Sequence, residues 1–289
     1  MNKKHKRIII GGAVLWFLGI VAIYLRNSNF MVLNPKGVVA HDERNLIVFT
    51  VLLGLFVVIP VFIMTFMIAW KYREGNTKAK YRPDWDRHLG AETLWWGIPT
   101  AIIVVLSVIT WNSSHALDPH KMLSSSQTPM KIQVIAMDWK WLFIYPEQGI
   151  ASVNYVQFPV NVPVTFEITA DAPMNSFWIP QLGSQIYAMP GMSTHLNLMA
   201  DKAGEYRGSS ANISGKGFAG MKFTAAASSE ADFRTWVALA RRSPDSMGAS
   251  DYKQLLKPSE NSAVALYSSA EPGLYDKVLA KYMLPGGQE

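Results

Sequence analysis

Three long apolar runs occupy the first part of the chain, and an alternation of apolar and polar residues replaces them further on. The runs cover residues 8–25, 46–70 and 91–111, and the last two carry no charge between their ends except Glu92 at the start of the third. A helix needs about 20 apolar residues to cross a bilayer, and helices of globular proteins are usually shorter than the second run. The second and third runs therefore predict a transmembrane helical hairpin.

The first run is compatible with two interpretations. It follows the basic segment MNKKHKR, and its length lies between that of a signal-peptide core and that of a membrane span. No small-x-small cleavage motif follows it, which favours an uncleaved anchor, but a cleaved signal stays open. The loop 71–90 carries six Lys and Arg residues, so we expect it on the cytoplasmic side and everything after residue 112 outside.

From residue 129 onward, apolar residues recur at every second position. In VTFEIT, for example, Val164, Phe166 and Ile168 point one way and the residues between them point the other way. Further candidate strands are KIQVIAM, WLFIY, VNYVQF, SFWI, THLNLM, GEYRGS and MKFTAAA. Short strands separated by turn residues, without a helical pattern between them, predict an antiparallel sandwich or barrel.

The end of the chain returns to a helical pattern. The segment SEADFRTWVALARRS opens on Ser229 and Asp232 in the spacing of a capping box. The fold class is therefore membrane α plus all-β, followed by a short helical extension. The predicted units are an anchor or signal segment 1–28, a hairpin 29–112, an external domain 113–228 and a C-terminal extension 229–289.

The amino-acid composition limits the classes of partner that the chain can bind. Hydrophobic residues make up 49% of the chain and charged residues only 17%, as expected for a chain with a lipid bilayer around part of it. The net charge of +6 is partly explained by the basic loop and the basic N-terminus, so it does not indicate nucleic-acid binding.

Few side chains in the external domain suit catalysis or metal binding. The chain has no cysteine, which excludes disulfides, thiol catalysis and thiolate ligands. A blue-copper site needs two histidines and a cysteine, whereas the sandwich contains only His195, on the polar face of its strand. Ser210 and Ser214 have no base nearby in sequence, and a lone Met221 is more typical of a core residue. We therefore expect no active site within this chain.

Two features keep a structural and a functional interpretation open. Glu92 could complement the dipole of a helix in its first turn, or it could accept protons at the mouth of an intramembrane path. The aromatic stretch AMDWKWLFIYPEQG, residues 136–149, could fill the sandwich or could form a surface cluster for docking or electron transfer.

The chain resembles subunit II of the haem–copper respiratory oxidases, from about residue 33 to its end. The resemblance is carried by the hairpin, by MDWKW at the start of the sandwich, and by two segments that hold binuclear copper in the cytochrome-c-oxidising members. These are a strand with W-x-P-x-L-G, here NSFWIPQLG, and a loop C-x-E-x-C-x-x-x-H-x-x-M, here SANISGKGFAGM.

The resemblance implies a copper loop that has lost its ligands. The family's ligand positions fall on the following residues: Asn175, Ser210, Asn212, Ser214, Phe218 and Met221. Only the methionine is retained, while the loop length and the flanking residues persist. This pattern is similar to that of the quinol-oxidising branch, the bo-type ubiquinol oxidases, in which electrons bypass subunit II. The lipid-modified cysteine usual in that branch would fall near Ser28 and is absent here.

The resemblance also implies partners and roles. It predicts a copper-free, non-catalytic subunit without its own cofactor, in a bacterial inner membrane, supporting a proton-pumping ubiquinol oxidase. Haems, copper and ubiquinol are expected in subunit I, and small subunits III and IV are further expected partners. Glu92 matches the entrance of a proton path, and Trp139 and Trp141 are expected to pack against subunit I. The alternative is a free-standing anchored module that binds a peptide, or copper through its methionines.

Overall fold

The computed structural model describes residues 30–80 and 86–283, together with the isolated positions 16, 19, 20 and 23, which are helical. The rest of the first apolar run, and with it the choice between anchor and signal peptide, lies outside the described residues. So does part of the basic loop, residues 81–85.

Two long helices form the predicted hairpin, α1 (Val38–Lys71) and α2 (Leu89–Ala116). With 34 and 28 residues they extend about 51 and 42 Å at a rise of 1.5 Å per residue, more than the roughly 30 Å of a hydrocarbon core. Their most apolar windows bury nothing against the rest of the protein. Within the described ranges, these are the two helices that are long and apolar enough to span a membrane.

Eleven named strands were found in the described part of the chain, and they form two sheets. Their bounds are β1 Met130–Met137, β2 Lys140–Tyr145, β3 Ile150–Val153, β4 Tyr155–Pro159, β5 Val164–Ala170, β6 Asn175–Trp178, β7 Ile186–Ala188, β8 Thr194–Leu198, β9 Gly204–Ser210, β10 Lys222–Ser228 and β11 Ala265–Tyr267. One sheet has the order β11-β3-β2-β1-β5-β8, and the other has the order β4-β10-β9-β6-β7. The sandwich expected from the alternating pattern is therefore confirmed.

The strand directions correct one detail of the prediction. β1 runs parallel to β5, and β10 runs parallel to β4, so the sandwich is mixed rather than purely antiparallel. The pattern of apolar and polar residues sets which face of a strand is buried, but it is the same for both directions of a neighbour. A parallel pair needs a long connection, and three strands lie between β1 and β5 in the chain and five between β4 and β10.

Aromatic side chains fill the space between the sheets. Trp141, Phe177 and Phe223 pack with ring centroids 5.0–5.7 Å apart. Rings at these distances add to the free energy gained from burying their apolar area. One end of this core is closed by α3 (Glu230–Ala240), whose N-terminus is capped by Ser229 as its sequence predicts.

Part of the C-terminal extension covers the outer face of the six-stranded sheet. The extension comprises α3, α4 (Ala249–Leu255), the strand β11 and α5 (Leu274–Met283). Side chains from α4 and α5 form a second core with residues of β1, β2 and β3. The extension is therefore not purely helical, because β11 extends the sheet by pairing with β3.

The start of α1 is bound directly to the sandwich. The backbone N–H groups of Lys36, Val38 and Ala40 donate to the carbonyls of Gln181, Met199 and Leu182 at 2.7–3.3 Å. Nearby, the side chain of His41 lies 2.9 Å from Asp201. These contacts set the position of the external domain relative to the hairpin.

Candidate functional site

The loop between β9 and β10 closes one end of the sandwich, beside the start of β6. Ser210, the last residue of β9, lies with its Oγ 3.0 Å from Asn175 Oδ1 and 3.2 Å from the carbonyl oxygen of Asn212. Asn175 and Ser210 are both buried. Of the residues that the sequence predicted to mark a former metal site, these three are brought together by hydrogen bonds.

Amide and hydroxyl groups hold the rest of the loop through backbone contacts. The Nδ2 of Asn212 donates to the carbonyl of Met174 at 2.9 Å, and the Nδ2 of Asn175 donates to the carbonyl of Pro173 at 2.8 Å. The hydroxyl of Ser214 is buried and has no hydrogen-bond partner among the described residues. The backbone carbonyl of Ser214 accepts the indole N–H of Trp139.

Phe218 begins a short 3-10 turn, Phe218–Gly220, at the end of the loop, and Met221 follows that turn directly. Phe218 is half-buried, and its carbonyl accepts the backbone N–H of Met221 at 3.0 Å. Met221 is 1% exposed and belongs to the core between the sheets, and its carbonyl accepts the N–H of Ser210. Met221 thus occupies the place of a core residue, as its isolation in sequence suggested.

The donor set at this loop does not fit copper. Copper sites of this kind use imidazole and thiolate ligands, whereas the side chains here are two hydroxyls, two amides, a phenyl ring and one thioether. Both amide groups are committed to hydrogen bonds with their neighbours. Throughout the described ranges, no group of three or more His, Cys, Asp or Glu could hold a metal ion. The side chains at these positions instead make the hydrogen bonds that hold the loop.

The two tryptophans of the MDWKW segment lie in different environments. Trp141 on β2 is fully buried between the sheets, so its side chain fills the sandwich and is out of reach of a partner. This corrects the expectation that it packs against subunit I. Trp139 lies in the β1–β2 turn with a positive φ of 63° and is only partly buried.

Trp139 is covered by the glycines of the β9–β10 loop. A Cβ on Gly217 would lie 2.3 Å from Cδ2 of the indole, so only glycine fits there. The indole N–H also donates to the loop at Ser214, at 3.2 Å. The retained glycines of the loop thus have a structural reason that does not involve a metal.

Glu92 lies in the first turn of α2, where the structural interpretation placed it. Its Oε1 accepts the backbone N–H of His88 at 3.0 Å, and the Nδ1 of His88 accepts the N–H of Ala91. This reciprocal arrangement satisfies donors that the helix itself leaves free. The carboxylate is half-buried in the isolated chain.

Two buried charges were missed by the sequence analysis. Lys140, 2% exposed, donates to the carbonyls of Leu255 and Lys257 at 2.7 Å each, and burial lowers the pKa of its ammonium. Asp171 binds α4 and α5 from the end of β5. The only sign of this burial in the sequence was a charged residue at the end of a mostly apolar strand.

Two family models match the external part of the chain. One, described as cytochrome c oxidase subunit II, periplasmic domain, matches residues 146–227. The other, described as the COX aromatic rich motif, matches residues 241–286, which form most of the C-terminal extension.

Curated relatives cover nearly the whole chain. Cytochrome bo(3) ubiquinol oxidase subunit 2 of Pseudomonas putida is 50% identical over 282 residues, covering 98% of this chain and 88% of the relative. The chain belongs to the quinol oxidase subunit 2 family. Ubiquinol oxidase subunit 2 of Acetobacter aceti is 46% identical, with 90% of this chain and 85% of the relative covered. The family assignment confirms the resemblance seen in the sequence: the chain is a subunit of an oxidoreductase complex.

One solved structure to which part of this chain is similar is the periplasmic domain of subunit II of cytochrome oxidase of Bradyrhizobium japonicum. It aligns with 42% of this chain and 98% of its own length, at 23% identity and a TM-score of 0.39.

Proposed function

We propose that this chain is subunit II of a proton-pumping ubiquinol:oxygen oxidoreductase in a bacterial inner membrane, and that its β9–β10 loop is free of copper. The observation that supports this most directly is the β9–β10 loop, in which hydrogen-bonded serine and asparagine side chains stand where the resemblance places copper ligands. Relatives named ubiquinol oxidase subunit 2 match it over nearly its full length. Electrons from the quinol then pass to oxygen within a partner and do not cross this chain.

The partners follow from the surfaces of the hairpin. Large apolar side chains on α1 and α2 are exposed along most of both helices. Such surfaces need lipid or protein around them. We assign part of this surface to a haem-bearing subunit I, which would hold the haems, copper and ubiquinol, and a further part to subunits III and IV. The bilayer covers the remainder.

Glu92 is the residue of this chain proposed to take part in proton uptake. The basic loop places the start of α2 on the cytoplasmic side, and Glu92 carries the one charge of the third apolar run. Its hydrogen bond from the backbone N–H of His88 fixes the carboxylate at the helix N-terminus. A carboxylate in that position can take up protons from the cytoplasm and pass them to a path in subunit I.

Co-purification with subunit I tests the assignment. A tagged copy of this chain is expressed in its host, and membranes are extracted under mild detergent. We expect a complex with haem absorbance and ubiquinol-dependent oxygen consumption, and loss of both when the gene is deleted. A chain that purifies alone, without haem, would instead support the free-standing module.

Metal content separates the two alternatives further. The methionine-based module would bind Cu⁺ under reducing conditions, since thioethers are soft ligands. In the full chain purified without partner subunits, we expect Cu⁺ binding to be the same in the wild type and in Met221→Leu. Stoichiometric Cu⁺ lost in Met221→Leu would contradict a copper-free loop.

A further inference from the structure

Two histidines that are distant in sequence lie side by side at the edge of the six-stranded sheet. His195 is on β8, the edge strand, and His120 is in the linker that follows α2. Their ring centroids are 6.1 Å apart, with the ring planes inclined at 46°. His195 belongs to a strand of the sandwich, whereas the second imidazole comes from the linker.

The linker is held against β8 by backbone contacts. The carbonyl of Pro119 accepts both the backbone N–H and the side-chain Nδ2 of Asn197, at 3.2 and 3.1 Å. His120 follows directly, and its position beside His195 is therefore set by β8 itself.

A carboxylate lies near each of the two rings, and only the one beside His120 is close. Asp118 Oδ1 accepts the backbone N–H of His120 at 2.9 Å and lies 3.4 Å from its Nδ1. A carboxylate on one ring nitrogen leaves the other nitrogen free to bind a metal and raises its basicity. His195 Nε2 lies 3.9 Å from Glu167 Oε1, which is too long for a hydrogen bond, and that oxygen is bound by Lys131 at 2.7 Å.

We propose that His120 and His195 form a two-imidazole site for a divalent transition-metal cation, with Cu²⁺ bound most tightly. Two imidazoles that share one ion at about 2.0–2.1 Å have ring centroids roughly 5–6 Å apart, so small side-chain rotations complete the site. Both side chains are accessible, with 64% and 42% of their surface exposed. Imidazole ligands suit copper, zinc and nickel, and Cu²⁺ has the highest affinity of these.

Water completes the coordination. The described residues contain no cluster of three or more His, Cys, Asp or Glu that could hold an ion, so the protein supplies two ligands and binding is reversible. The site involves neither Ser210 nor Met221. A bound ion would connect the linker after α2 to β8 and so stabilise the joint between hairpin and sandwich, because an ion that binds only the native state raises its stability.

Cu²⁺ titration followed by electron paramagnetic resonance tests the site. The full chain, without a histidine tag, is purified in detergent and titrated with less than one equivalent of Cu²⁺. The wild type is expected to show two equatorial nitrogen ligands. His120→Gln and His195→Gln should each show one equatorial nitrogen ligand. The affinity for Cu²⁺ should fall at least about tenfold in each variant, because removing a carboxylate that only supports a ligand already weakens metal binding by about that factor.

His41→Gln is the matched control, because His41 is a further exposed imidazole on the external side and pairs with Asp201 at 2.9 Å. It should leave affinity and spectrum unchanged. The proposal is overturned if the wild type retains no Cu²⁺, if either variant at the pair binds normally, or if His41→Gln weakens binding equally. Asp118→Asn, at the positioning residue, should weaken binding while the two-nitrogen spectrum persists. Unchanged affinity would remove Asp118 from that role.

Discussion

At the scale of single residues, hydrogen bonds between hydroxyl and amide groups determine the shape of the β9–β10 loop. Ser210 takes a central place because its hydroxyl contacts both Asn175 and Asn212. Asn175 is buried, so its Oδ1 would lose a partner without gaining water if that hydroxyl were removed. The loop's shape is thus maintained by a few polar groups, and their partners lie in the loop itself and at the start of β6.

Ser210→Ala should therefore destabilise the external domain by about 1–3 kcal/mol, because it leaves a buried amide oxygen unsatisfied. Ser209→Ala is the matched control, since Ser209 is the preceding residue of β9 and is only partly buried. Thermal unfolding of the full chain in detergent, followed by near-UV circular dichroism, measures both. An equal midpoint for the two variants would contradict the role given to Ser210.

Glu92 can be tested with a pair of variants that separate capping from proton transfer. Glu92→Gln keeps an oxygen that can accept the N–H of His88, whereas Glu92→Ala removes it. If Glu92 accepts protons, both variants should slow quinol-dependent oxygen consumption in the purified complex while subunits still assemble. If it only caps α2, Glu92→Gln should have normal turnover, and the proton role would be wrong.

At the scale of secondary structure, the C-terminal extension explains why β2 shows no alternation of buried and exposed residues. Every residue of β2 is buried, because one face meets the inter-sheet core and the other meets α4 and α5. A strand covered on both faces shows no alternation in its sequence. Strands such as β5 and β8 were predictable from their periodicity, but β7 and β11, each only three residues long, left no such signal.

Asp171 fastens this extension to the sheet. Its carboxylate accepts the hydroxyls of Tyr252 at 2.8 Å and Tyr282 at 2.6 Å and pairs with Lys281 at 2.7 Å. The donors come from α4 and α5, while Asp171 follows β5. Sequence could not reveal the contact, because its members are brought together only by the tertiary fold.

Asp171→Asn should loosen the extension, because an amide cannot accept all of these hydrogen bonds and leaves Lys281 unpaired. We expect about 1–3 kcal/mol of lost stability and faster proteolytic release of the segment after residue 243. Asp276→Asn, an exposed carboxylate in the first turn of α5, is the control and should be cleaved at the wild-type rate. Equal rates in all three chains would show that Asp171 does not hold the extension.

The same contact predicts a loss of stability at alkaline pH. The hydrogen bond to Asp171 raises the pKa of Lys281, and burial raises the pKa of Tyr252 and of Tyr282. The folded chain therefore binds protons more tightly than the unfolded chain. This contribution is complete below the ordinary pKa values, 10.0 for tyrosine and 10.5 for lysine, and is lost as pH rises through the folded values.

Unfolding midpoints measured between pH 8 and 11 should accordingly fall more steeply in the wild type than in Asp171→Asn, which has less of this contribution to lose. Parallel curves for the two chains would contradict the assignment of the alkaline effect to this cluster.

At the scale of the whole molecule, the joint between hairpin and sandwich determines how the external domain stands over the membrane. Gly37 lies at its centre and pairs with Ala200 in an isolated bridge. A Cβ there would lie 2.7 Å from the carbonyl oxygen of Met199 and 2.9 Å from that of Leu182. Apolar runs predicted the hairpin and alternation predicted the sandwich, but neither pattern specifies the angle between the hairpin and the sandwich.

Gly37→Ala should therefore break the joint, since two backbone carbonyls cannot both retreat without losing the hydrogen bonds that surround them. The chain has no cysteine, so spin labels can be attached at Val108→Cys on α2 and Ile213→Cys, which is 80% exposed, on the β9–β10 loop. The distance distribution between the labels should be narrow in the otherwise wild-type chain and broad with Gly37→Ala. Gly97→Ala on α2, where a Cβ meets nothing within 4 Å, should leave it narrow. A narrow distribution in all three chains would mean that other contacts fix the orientation of the external domain. The hydrogen bonds around Gly37 would then be a consequence of that orientation and not its cause.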